Sequence, residues 1–206
     1  MPESVFGAIP WGPTGTLVAT SLAIMGTPGP ATISLTAAGS AHGVRRSLAY
    51  LAGIVVGTIV VLVAVATGIT AALLAVSGVR PVLLATATAY ILWLAYHIAT
   101  APPLAAAGAD GPAPGLRGGA LLGVANPKAW LAIAAVFASA RLAGDAAIDA
   151  TAKVAVLVVM IVVINTTWLA AGASLTPLLR DPRRARRVNA LLAAVLVVAA
   201  IAAFAR

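Results

Sequence analysis

The sequence predicts an all-α integral membrane protein with six transmembrane helices, built as two inverted three-helix repeats with a broken first helix in each half. Three observations predict it. Of 206 residues, 62% are hydrophobic and only 9% charged, whereas a soluble domain carries about 25% charged residues. The charges are clustered: none falls between Glu3 and Arg45, Arg46 and Arg80, Lys153 and Arg180, or Arg187 and Arg206. A spanning helix needs about 20 mostly apolar residues, and most of these gaps supply them. Finally, prolines interrupt two apolar stretches, each the first of its half.

The elements follow in order. The first span covers 14–40, broken at Pro28 and Pro30, and the second covers 47–76. The third covers 82–100, after Pro81. Residues 101–116, with Pro102, Pro103, Pro112 and Pro114, read as a linker between halves. The fourth span covers 118–140, broken at Pro127; the fifth covers 152–178 and the sixth 188–204. The whole chain is then one membrane domain, with repeats at 1–100 and 117–206. Spans two and five exceed the bilayer thickness and must tilt or extend beyond it. Three spans per half is an odd number, so two halves of like fold must lie in opposite orientations, the plan of many secondary transporters. The segment before Arg45 contains Glu3 and no Lys or Arg. It lacks the basic start of a signal peptide, and the first span reads as retained.

Lys and Arg set the orientation. One set of loops holds Arg45, Arg46, Arg117, Arg180, Arg183, Arg184, Arg186 and Arg187, the other Arg80, Arg141, Lys153 and Arg206. The first set should be cytoplasmic, placing both termini outside. The net charge of +8 therefore reads as topology and lipid headgroups rather than nucleic acid. There is no cysteine, and His42 and His97 lie far apart. No metal cluster, cofactor motif, nucleophile–base pair or phosphate loop appears, which argues against a metal exporter and an enzyme.

Chemistry concentrates at the breaks, Thr27-Pro28-Gly29-Pro30 and Asn126-Pro127-Lys128. Proline removes a backbone donor and breaks a helix. Thr and Asn are good N-caps and Pro suits the first helical position, so each break reads as the start of a half-helix. Its N-terminus would carry roughly half a positive charge and free N–H groups, suited to a carboxylate. Gly29 would let a ligand approach the backbone. A pair of packing kinks is the simpler alternative, but paired breaks with capping residues favour a transport site. Lys128 sits near the middle of span four, where a lysine costs about 2.5–3.5 kcal/mol. It reads as holding an anionic group or exchanging a proton, against the alternatives of snorkelling or neutralisation by backbone carbonyls freed at the break. Candidate polar partners are Thr58, Asn165, Thr166 and Thr167; helix–helix bonding is the other role open to Asn165. No acidic residue falls clearly within a span. Gly53-x-x-x-Gly57 and Gly119-x-x-x-Gly123 permit close helix packing within the chain and leave a homodimer open. Tyr90, Trp93 and Tyr96 read as interfacial anchors.

The first break, followed by Gly43-Val44-Arg45-Arg46-Ser47-Leu48 and Gly53-Ile54-Val55-Val56-Gly57, resembles the lysine exporter (LysE/RhtB) translocator family. Ala125-Asn126-Pro127-Lys128-Ala129-Trp130-Leu131 and the arginine-rich loop before Val188-Asn189 extend the resemblance over nearly the whole chain. It implies six spans in a bacterial inner membrane and ion-driven export of amino acids or similar small metabolites. Pro28, Gly29, Pro30, Asn126, Pro127 and Lys128 would line the translocation site. Many relatives carry acidic residues where Thr58 and Asn165 stand here, so the implied solute is a neutral or anionic zwitterion rather than lysine or arginine. The expected partners are that solute, membrane lipids and a coupling proton or ion. A different class remains: a non-transporting membrane protein that helps place or export an envelope lipid.

Overall fold

A computed structural model describes residues 11–68 and 113–174, with scattered positions within 89–100 and 181–197. The described residues are helical and contain no strand. Five helices are defined: α1 Trp11–Ile24, α2 Pro30–Ala66, α3 Leu116–Ala125, α4 Pro127–Ala138 and α5 Ala146–Ser174. Most of spans 82–100 and 188–204, and linker residues 101–112, lie outside the described residues. Helices α2 and α5 are each long and apolar enough to cross a membrane; α3 and α4, bent by 59°, pass that test together.

Helix α2 has 37 residues, or about 55 Å if straight, well beyond a bilayer core of about 30 Å. It is not straight. Ser34 Oγ and Tyr50 OH share a hydrogen bond, although sixteen residues of straight helix would separate them by about 24 Å. Ser47 Oγ also donates to Ala38 O at 3.1 Å. The chain therefore folds back on itself at Gly43, whose φ of 74° and ψ of 168° lie in a region open essentially to glycine alone. A limb over 30–42 and a limb over 44–66 form a helical hairpin, matching the expected boundary between spans one and two.

The second limb runs parallel to α3 through glycine. Gly53 faces Leu116 and Ala120, Gly57 faces Ala120, Gly123 and Val124, and Gly119 and Gly123 face Tyr50, Ile54 and Thr58 in return. The two GxxxG patterns thus pack against each other within the chain. Without Cβ atoms, the helix backbones come into direct contact. Because the first limb opposes the second, it also opposes α3. A similar seam joins the first limb to α5, where Gly39 meets Leu169 and Ala173, and Gly172 meets Thr36.

Side chains fill the remaining space. Leu17, Val61, Leu62, Ala129, Ile133, Val136, Leu157 and Ile161 form one buried cluster, and Leu35, Tyr50, Leu51, Ile54, Leu122 and Leu169 belong to a second. Val56, Val60, Val63, Leu121, Leu131 and Val159 are exposed, as expected of a lipid-facing surface. Helix α5 begins earlier than its hydrophobicity alone suggests, because Asp145 Oδ1 caps it, accepting from Ala147 N at 2.9 Å and Ile148 N at 3.0 Å. This corrects the placing of Lys153 in a loop. Lys153 is buried in the helix, 2.8 Å from Asp149 Oδ2 and 4.9 Å from the Phe137 ring centre.

Candidate functional site

Each broken helix leaves carbonyls without helical partners, and in a membrane core something must satisfy them. At the first break, α1 ends near Ile24, and Thr27 Oγ1 donates back to Ile24 O at 2.8 Å. Trp168 Nε1, from α5, donates to Gly26 O at 3.2 Å. Lys128 Nζ, from α4, donates to Thr27 O and, at 3.1 Å, to Pro28 O. At the second break, Trp130 Nε1 donates to Val124 O at 2.8 Å. Two indoles and one ammonium therefore meet four freed carbonyls. Lys128 ties the breaks together, and its stem lies where a Cβ on Gly29 would stand. Only glycine leaves this approach open.

The capping differs from the expectation at two points. The first half-helix is capped by Gly29, not Thr27, with Pro30 in its first position. Thr32 Oγ1 accepts from Gly29 N at 2.8 Å and donates to Gly29 O at 3.1 Å. Prolines two residues apart offer two starting registers, and the hydroxyl three residues after Gly29 selects the later one. At the second break Asn126 is the cap as expected, its Oδ1 accepting from Lys128 N at 3.2 Å. However, Ala129 N bonds Asn126 O at 3.0 Å, and Pro127 has no N–H. The α4 N-terminus therefore presents its dipole and Lys128, and no free N–H group at these three positions.

A cavity of about 50 Å³ lies between the breaks, room for about one or two waters. Its lining includes Gly29, Thr58, Asn126, Lys128 and Asn165 of the expected site residues, together with Met25, Ala31, Thr32, Ala129, Ala132, Ile133 and Ile164. Thr27 and Pro28 act one step away, through the carbonyls that hold Lys128. Pro30 and Pro127 start the half-helices and do not line the space. Thr166 and Thr167 are exposed and lie outside it. Thr58 Oγ1 donates to Ile54 O at 2.7 Å, and Asn165 Nδ2 donates to Ile161 O at 2.8 Å. No carboxylate is among the lining residues. Sequence reasoning missed Thr32, Trp130 and Trp168. A hydroxyl three residues after Gly29 was readable as a capping signal, but nothing in the sequence places Trp168 beside Gly26.

A family model described as "LysE type translocator" matches residues 22–205. The chain is 44% identical over 77 residues to cysteine/O-acetylserine efflux proteins of Salmonella choleraesuis (strain SC-B67) and Salmonella paratyphi A (strain ATCC 9150 / SARB42). That match covers 37% of this chain and 39% of each relative, so the chain spans well under half of the curated relatives it matches. No solved structure matches.

Proposed function

Because this chain is a membrane protein that belongs to the LysE type translocator family, we propose that it is a secondary exporter of a small amino acid without a cationic side chain. It works in the bacterial inner membrane, driven by a proton or other ion gradient. The observation that carries this reading is Lys128 at the junction of the two breaks, facing a cavity lined by no carboxylate. An ammonium has three donors; two are engaged by Thr27 O and Pro28 O, which leaves one for a solute carboxylate. The α4 dipole favours the same charge. A lysine or arginine side chain would bring a second cation into a cavity that offers no counter-charge. The efflux relatives are named for cysteine and O-acetylserine, amino acids of the proposed kind. A cavity of this size excludes a lipid chain and must widen during the cycle to take even a small amino acid.

The proposed architecture is six spans in two inverted repeats at 1–100 and 117–206. Its support is the order of a broken pair followed by a long helix, which occurs twice, and the opposed directions of the first limb of α2 and of α3. Alternating access then comes from one half rocking against the other. The arginine distribution places both termini outside. Reporters fused to each end test this, and a cytoplasmic C-terminus would overturn it. Flux of labelled L-serine, L-glutamate and L-lysine in proteoliposomes, with and without a pH gradient, tests the function. Serine or glutamate should move while lysine stays at background; robust lysine transport would refute the assignment.

A further inference from the structure

We infer that Asn165 is the specificity-determining acceptor for the solute's amino group, an assignment that rests on the exporter reading. Asn165 is 6% exposed and lines the cavity. Its Oδ1 is buried and has no hydrogen-bond partner among the described residues. Its other amide atom fixes which way the group faces. Nδ2 donates to Ile161 O at 2.8 Å; turning the amide over would set two acceptors against each other. The unmatched atom is therefore an acceptor, and a buried acceptor without a donor bears an unrecovered desolvation cost.

The rest of the lining explains which donor belongs there. Thr58 Oγ1 gives its proton to Ile54 O, and Thr32 Oγ1, which already accepts from Gly29 N, gives its own to Gly29 O, so neither hydroxyl has a proton left to donate. Lys128 supplies the donor. Among the residues that line the cavity, Lys128 is a cationic donor, and Asn165 and Thr58 offer neutral acceptors. An α-amino acid carries a carboxylate and an ammonium on one carbon and matches both. A carboxylate without an amino group leaves Asn165 Oδ1 unpaired.

The test uses the full chain in proteoliposomes, following labelled L-serine and L-glutamate, with L-alanine and propanoate as competitors. In the wild type, L-alanine should compete better than propanoate. Asn165→Leu should raise the half-saturating concentration about tenfold or more, as expected for losing a hydrogen bond to a charged group, and should erase the preference for L-alanine. Asn165→Asp keeps an acceptor and should keep the preference; its loss there would contradict the assignment even if the leucine variant does not fold. Wild-type half-saturation and preference in Asn165→Leu would overturn it and leave the amide a role in holding water. Absence of serine and glutamate flux in the wild type would overturn the exporter reading, and this inference with it.

Discussion

Lys128→Ala should cut transport sharply while the chain stays folded and inserted. Two effects on stability oppose each other. The substitution leaves exposed Thr27 O and half-buried Pro28 O without their donor, at up to about 1–3 kcal/mol each where no water reaches them. It also removes a lysine from an apolar span, which at mid-bilayer would cost about 2.5–3.5 kcal/mol to insert. The two nearly cancel, so the variant should purify at wild-type yield. Solute binding has no such compensation. Losing a charge-assisted hydrogen bond costs about 1.5–3 kcal/mol, so flux below saturation should fall about 10- to 100-fold. Proteoliposome flux beside a yield and thermal-melt comparison separates the outcomes. Wild-type flux from Lys128→Ala would remove this side chain from the mechanism.

Gly123→Leu should cost the protein its fold. A Cβ there would stand 2.7 Å from Ile54 O, 2.9 Å from Thr58 N and 3.0 Å from Gly57 Cα. These neighbours are backbone atoms of a packed helix and have no rotamer to change. Overpacking a core typically costs about 1–3 kcal/mol, and backbone neighbours on three sides put this case at or above the upper end. Gly118→Leu, five residues earlier, is the control, because nothing lies within 4 Å of that position. The expected result in detergent is aggregation or a strongly lowered melting temperature for Gly123→Leu and wild-type behaviour for Gly118→Leu. Equal stability of the two would show that the glycine contact is not what holds these helices together.

Much of the site was legible because proline, glycine and a lone lysine in an apolar stretch each carry a local physical constraint. The breaks, the Asn126 cap and the intramolecular use of the glycine patterns follow from such constraints. Gly29, Thr58, Asn126, Lys128 and Asn165 line one space, but polarity alone named Thr166 and Thr167 equally, and they lie outside it. The starting register of the first half-helix was ambiguous between Pro28 and Pro30, because both satisfy the same rule. Occupied N–H groups at α4 depend on hydrogen bonds that composition does not reveal. The Trp168–Gly26 contact spans 142 residues, and no periodicity encodes it. Lys153 carried a readable signal: Asp149 stands four residues before it, the spacing of a helical ion pair, and Asp145 marks the helix start.

The parallel seam of Gly53, Gly57, Gly119 and Gly123 joins a helix from each half of the chain. Crossing angles between helices are normally set by side-chain ridges seated in grooves. At the centre of this seam no side-chain ridge stands: each glycine leaves a gap that the partner's backbone enters. The seam holds distance firmly and angle weakly, as two smooth rods in contact can roll without separating. Volume added anywhere along it forces the rods apart, whereas rotation about the contact meets little resistance from the seam itself. Such a contact behaves as a fulcrum, stiff in translation and soft in torsion.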